Sequence, residues 1–168
     1  MSSRSAIIRA DDEGEALWFN SDLFIFKATA EETDGAFTLF EESSQRGKRT
    51  PLHLHPHVDE TFCVVEGEIL VHVEGVDTIV GRGGVASVPR GVRHAVLVTS
   101  ETARVLTFIT PGSKELELFF KDAGEPAAHR GLPPNVPLPI DRIRAAAQKY
   151  GSVVLLGPPP FQATAAAS

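Results

Sequence analysis

The sequence predicts an all-β domain, a sandwich or barrel of short strands, finished by two short helices near its C-terminal end. Three observations carry that expectation. Between residues 15 and 110, short apolar runs alternate with glycine, proline and asparagine/aspartate turns at close spacing, the pattern of packed antiparallel sheets. Helical periodicity is absent until Ser113. The chain has 168 residues, 42% of them hydrophobic, enough for one domain with a real core.

The elements follow in order. Residues 1–14 form a polar N-terminal arm with room for a short strand at Ala6–Arg9. Glu15–Phe19 and Leu23–Ala28 read as strands about an Asn20-Ser21-Asp22 turn, and Ala36–Glu41 follows the Asp34-Gly35 turn. Glu42–Lys48 reads as a polar loop. Further strands are expected at Leu52–His55, Thr61–Glu66, Ile69–Glu74, Thr78–Val80, Val85–Pro89, His94–Val98 and Arg104–Thr110. Ser113 is a predicted N-cap, with Glu115 and Glu117 suited to the dipole of the first turns, Leu116, Phe119 and Phe120 on one face, and Gly124 at the end. A proline-rich connector, Glu125–Pro139, leads to a second helix that Asp141 is expected to cap and Gly151 to end. Val153–Leu156 reads as a last strand or a packing segment. The barrel is thus expected over 15–112, a helical segment packed on it over 113–160, and a disordered tail over 161–168.

Composition narrows the function. The net charge is −6 and no basic block occurs, which argues against a nucleic-acid partner. No apolar run approaches the ~18 residues of a membrane span. The N-terminal stretch turns acidic before a signal-peptide core could form, and the single cysteine, Cys63, fits a reducing compartment. A cytoplasmic protein is expected.

The most informative stretch is 47–98. His53 and His55 lie two apart, so on a strand both rings leave one face. Glu60 follows a bend at Pro56, and His94 opens an apolar run after the Pro89-Arg90-Gly91 turn. Three imidazoles and one carboxylate are a ligand set that first-row transition ions accept. His57, after Pro56, reads as a rim histidine. Asp59, Arg90 and Arg93 read as surface charges, and Cys63 as an outward, inert thiol. Parity places Phe62 and Val64 inward with Glu60, and Val96 and Val98 inward with His94. Phe24, Phe26, Leu39 and Phe40 are candidates from the earlier strands for the same interior. Such walls offer few hydrogen bonds and suit an apolar, aromatic ligand. Leu17, Trp18 and Phe19 are candidate material for a homodimer interface, or Trp18 seals the barrel base.

These residues resemble the cupins. The first cupin motif is matched by Gly47, His53, His55, Glu60 and Gly67 without adjusting a gap. The second is matched by Gly83, Pro89, Gly91 and His94, with Val98 where the family has asparagine. The flanks LWFNSDLFIF, TPGSKELELFF and YGSVVLLGPPP are similar to single-domain bacterial cupins described as quercetin-2,3-dioxygenase-like. The resemblance implies a double-stranded β-helix, or jelly-roll barrel. It also implies one divalent transition metal per chain (Fe, Ni, Co, Mn, Cu or Zn) on His53, His55, Glu60 and His94. It further implies a dioxygenase that uses O2 on an enolisable aromatic substrate, with Glu60 as ligand and catalytic base and carbon monoxide released as the ring opens. The alternatives are a non-oxidative metal-dependent isomerase or polyketide cyclase, and a small-molecule-binding cupin without turnover.

Overall fold

A computed structural model describes residues 5–161. Its strands are β1 (Glu15–Phe19), β2 (Asp22–Ala28), β3 (Thr38–Gln45), β4 (Leu52–Leu54), β5 (Asp59–Glu66), β6 (Glu68–Val73), β7 (Val76–Gly81), β8 (Val85–Val88), β9 (His94–Val98) and β10 (Thr102–Thr110). They are followed by α1 (Lys114–Ala123), β11 (Glu125–Pro126), α2 (Ile140–Tyr150) and β12 (Val154–Gly157). Two sheets result, one ordered β11-β1-β2-β3-β10-β5-β8 and the other β12-β4-β9-β6-β7. Every pairing is antiparallel, so the architecture is the expected β sandwich closed into a jelly roll.

Turn chemistry sets the registers. The β1–β2 hairpin has only Asn20 and Ser21 between paired Phe19 and Asp22, both at positive φ, the two-residue geometry that matches strand twist. The chain passes from one sheet to the other between β5 and β6 at Gly67. Its φ is +77°, and a Cβ there would sit 2.1 Å from the Thr102 carbonyl oxygen, so only glycine fits.

The core falls into two clusters. One gathers Phe24, Phe26, Phe40 and Ile109 of the large sheet under Leu116, Phe119 and Phe120 of α1 and Ile143 of α2. The other fills the space between the sheets with Phe62, Val64, Ile69, Val71, Val96, Val98 and Val105. The helices are therefore part of the core. Ser113 caps α1 as expected, its Oγ accepting from the Leu116 N–H at 3.1 Å, and Gly124 ends it. Glu117 does not act as an exposed dipole charge. It is buried and accepts from the Ala30 N–H (2.7 Å) and the Thr38 hydroxyl (2.6 Å).

Three expectations are corrected, and the candidate interface residues are placed. Residues 6–9 form no strand: Ile8 is 88% exposed, and the segment is held by Arg9 to Glu32 and the Lys27 carbonyl. β3 continues to Gln45, because Glu42 and Ser44 keep the inward parity of Phe40 and find buried partners. α2 starts at Ile140 after Pro139, whose fixed φ already suits a helix; Asp141 lies in the first turn and caps nothing. Leu17, Trp18 and Phe19 face their own chain. Leu17 is buried, the Trp18 indole N–H donates to the Gly131 carbonyl (2.9 Å), Phe19 packs edge-on to Phe119 and Phe120, and β11 covers the edge of β1. Of the expected tail, 162–168 lie outside the described residues.

A polar group interrupts the apolar interior. Lys48 pairs with Asp22 and, at 3.2 Å, with Glu42, and both Lys48 and Asp22 are buried. Burial pushes the Asp22 carboxyl up to about 7, with Lys48 opposing and Glu42 adding. Burial alone would lower Lys48, but the two carboxylates outweigh it and raise it. Two acids thus share one ammonium.

Two outcomes are expected. Phe40 is 1% exposed, stacks on Phe24 at 5.2 Å and meets Phe120 edge-on, so Phe40→Ala should cost ~3–5 kcal/mol in urea unfolding. Asp22 holds a proton in the folded chain that an unfolded aspartate releases near pH ~4. Its contribution is present below that value and lost as pH rises to about 7. Asp22→Asn should therefore gain roughly 1–3 kcal/mol on wild type between pH ~4 and pH ~8; parallel stability curves would reject this.

Candidate metal centre

Three strands deliver four side chains to one point. His53 lies in β4 and His55 just beyond it, Glu60 in β5, and His94 opens β9. The β4–β9 register sets His53 directly opposite His94, and their ring centroids are 4.3 Å apart. His55 stands 5.1 Å from His53 and 5.5 Å from His94 by the same measure. One potential ligand atom from each of the four residues lies within 4.8 Å of the others. His55, Glu60 and His94 are buried and His53 is partly buried.

Backbone carbonyls orient every ring. His53 Nδ1–H donates to the Pro51 carbonyl (2.8 Å), His55 Nδ1–H to Ser152 (3.0 Å) and His94 Nδ1–H to Val92 (3.0 Å). That fixes each Nε2 as the inward atom, the arrangement by which proteins aim imidazole lone pairs at a metal. Ser152 belongs to the segment between α2 and β12, and β12 pairs with β4. The C-terminal part of the chain therefore holds one histidine of the site in place.

The inward atoms suit a cation. Glu60 Oε2 lies 2.9 Å from His94 Nε2 and 3.2 Å from His55 Nε2. With both Nδ1 protons given to carbonyls, neutral rings turn bare lone pairs on a carboxylate oxygen, which repel unless a proton or a metal ion lies between. The His55 Nε2 is buried without a hydrogen-bond partner among the described residues. The N···O separations match the ~3 Å edges around an ion with bonds of ~2.1 Å. Burial lowers His53 to about 3, so its lone pair is free at any ordinary pH. At Glu60 burial acts upward, yet His55 and His94 hold it well below the usual carboxylate range. At His55 burial acts downward and Glu60 prevails, raising it. The buried cluster thus suits a single metal ion.

A narrow, mostly apolar cavity opens on the cluster. Phe62, Val96 and Val98 line it, as parity predicts, and so does Phe24, a candidate from the earlier strands. Phe26, Phe40 and Val64 do not. They face inward but lie deeper, Phe40 behind Phe24 and Val64 in the second core cluster. Phe119 and Phe120 of α1 take the wall instead; helix periodicity marks them as apolar, but which strand face they cover is a tertiary matter. Lys48, Glu42 and Ser44 line the same cavity and went unread as interior residues, because nothing local distinguishes a buried lysine from a loop lysine. His57 is exposed. Asp59 pairs with Arg90 (3.0 Å) and Arg93 with Glu74 (2.8 Å) at the surface, and Cys63 is a partly buried free thiol.

The comparisons agree with this architecture. Residues 40–110 match the family described as Cupin domain. A quercetin 2,3-dioxygenase of Bacillus subtilis (strain 168) is 27% identical over 114 residues, 68% of this chain and 33% of that protein; the chain spans about a third of that curated relative's length. Among solved structures, KdgF from Halomonas sp. superposes with a TM-score of 0.59 at 15% identity, covering 67% of this chain and 98% of that one. An RmlC-like cupin from Shewanella frigidimarina gives 0.58 at 18% identity, covering 67% and 96%. Pac13 of Streptomyces, a nucleoside dehydratase, gives 0.56 at 15% identity, covering 67% and 88%. Residues 40–110 are thus similar to a cupin domain, and the fold is the double-stranded β-helix of the solved cupins on which the chain superposes. No helix among the described residues is long and apolar enough to cross a membrane.

Loading the metal-free chain with Co(II), Ni(II) or Mn(II) should give one ion per chain by elemental analysis and a raised melting temperature. Replacing His94 by alanine should weaken binding by at least about a hundredfold, beyond what loss of an outer-shell partner does. Because the His55 proton must leave when an ion binds, affinity should fall as pH drops below neutral. Stoichiometry near zero under every loading condition would reject the site.

Proposed function

We propose that this chain is a metal-dependent cupin dioxygenase of the quercetinase type, acting with O2 on a flavonol-like or other enolisable aromatic substrate. The observation that carries the reading is the convergence of three imidazole Nε2 atoms and the Glu60 carboxylate, with His53, His55 and Glu60 on the wall of an aromatic-lined cavity. The likeness to a quercetin 2,3-dioxygenase points the same way. A divalent transition ion held by His53, His55, Glu60 and His94 supplies Lewis acidity toward a substrate oxygen.

The remaining steps belong to the chain. Phe24, Phe62, Phe119 and Phe120 present flat apolar surface to a ring system. Glu60, at the cavity wall, takes the proton of the enol hydroxyl as that oxygen comes within hydrogen-bond reach. The three carbonyl-anchored imidazoles keep their orientation while it does so. Val96 and Val98 keep water from the opened ring. Both atoms of O2 enter the cleaved product, and one ring carbon leaves as carbon monoxide. A non-oxidative isomerase or cyclase would use the same ligands without O2, and this fold hosts several chemistries, a nucleoside dehydratase among them.

An oxygen electrode with flavonols and the metal-loaded chain decides between them. The expected result is O2 uptake matching substrate loss one for one; substrate loss without uptake would establish the non-oxidative class. Glu60→Gln should keep most of its metal by elemental analysis and lose turnover by ~10²–10⁴-fold. Undiminished activity in that variant would remove Glu60 from proton transfer.

A further inference from the structure

The ion cluster at the far end of the cavity is a poor choice for a core. Lys48, with 7% of its side chain exposed, pairs with Asp22, at 0%, and with Glu42, at 12%. Removing such charges from water costs more than their mutual attraction readily returns, and apolar side chains of similar volume usually serve stability as well or better. Two carboxylates against one ammonium make the balance worse. The cluster is also open to the ligand space, since Lys48, Glu42 and Ser44 line the cavity that His53, His55 and Glu60 line.

Its free capacity is specific. An ammonium has three donors, and Lys48 commits two, to Asp22 and Glu42. Glu42 accepts from Lys48 at Oε2 and from the Thr107 hydroxyl at Oε1, 3.0 Å, and each oxygen retains a further lone pair. Side by side they present one donor and one acceptor. A hydroxyl group is the small ligand group that satisfies both at once, accepting from Lys48 and donating to Glu42.

The spacing to the metal centre follows from the strands. The segment 48–53 runs antiparallel to β9. The Val98 N–H donates to the Lys48 carbonyl (2.9 Å), the Thr50 N–H to the Val96 carbonyl (3.0 Å), and His53 pairs with His94. From His94 to Val98 is four strand residues, ~13 Å. Inward-reaching side chains shorten the gap a ligand must span. The strand register thus sets the two polar groups apart by about the length of two to three linked rings; Phe24, Phe62 and Val96 line the same cavity, whose volume of about 80 Å³ must widen for a ring system to enter.

We propose that Lys48 and Glu42 form a second recognition site for the substrate, reading a phenolic hydroxyl at the end of the molecule remote from its chelating enol–carbonyl pair. Asp22 is a positioning residue that fixes the ammonium. The inference rests on the quercetinase-type reading above and narrows it. The substrate class is an aromatic skeleton that chelates at one end and carries a hydroxyl at the other.

The test is anaerobic equilibrium binding to the metal-loaded full chain, comparing 3-hydroxyflavone with 3,4′-dihydroxyflavone. Wild type should favour the dihydroxy compound by tenfold or more, the worth of a hydrogen bond to charged groups. In Lys48→Met the two affinities should converge to within about twofold. Glu42→Gln, a near-isostere that leaves the ammonium in place, should cut the preference and serves as the deciding variant if Lys48→Met does not fold. Equal affinities in wild type, or a preference that survives in the folded variants, overturn the second site and leave the dioxygenase reading intact. Binding of neither flavonol removes flavonols as the substrate of the proposed dioxygenase, and this inference with them.

Discussion

The structure depends on one constraint: three imidazole lone pairs and a carboxylate must point at each other in the interior of the fold. Such an arrangement repels itself in the absence of a cation. It persists because each ring is tied from behind, His53 to Pro51, His55 to Ser152 and His94 to Val92, all through backbone carbonyls. Carbonyl positions are fixed by strand pairing, so the aim of the nitrogens is a property of the sheets. A slip of one residue between β4 and β9 would turn His53 away from His94 and send alternate side chains to the wrong face.

The same constraint explains why the core is divided. A continuous apolar filling would close the space in front of the metal ligands. Instead the cavity runs between a cluster of phenylalanines under the helices and a cluster of valines between the sheets. The helical segment is accordingly more than an appendage. α1 brings Phe119 and Phe120 to the wall, and the stretch after α2 supplies both the carbonyl that orients His55 and the strand that flanks β4.

Much of this was legible from the chain, for identifiable reasons. The spacing of His53, His55, Glu60 and His94 survives as geometry because period-two parity carries directly from sequence to sheet, and the inward positions of Phe62, Val96 and Val98 follow from it. What failed to show was set by distant partners. Glu42 and Ser44 look like loop residues until Lys48 and Asp22 are placed beside them. Glu117 looks like a dipole charge until the Ala30 N–H meets it. Ser152 contributes only a backbone carbonyl, which leaves no trace in residue type. Phe40 and Val64 show the converse limit, since parity gives the face a residue looks toward and not its depth.

Val98 joins the two halves of the cavity. At the position where the cupin motif has asparagine, this chain places an apolar side chain that is 3% exposed and belongs to the valine cluster. Its side chain offers the ligand space no hydrogen bond, yet its backbone N–H holds the Lys48 carbonyl at 2.9 Å. The polar group at that end of the cavity therefore sits on the neighbouring segment, on Lys48, where two carboxylates hold its ammonium. With valine there, the polar lining of the cavity rests on Lys48, Glu42, Ser44 and the metal-site residues His53, His55 and Glu60, beside an apolar lining that includes Phe24, Phe62, Val96 and Val98 itself.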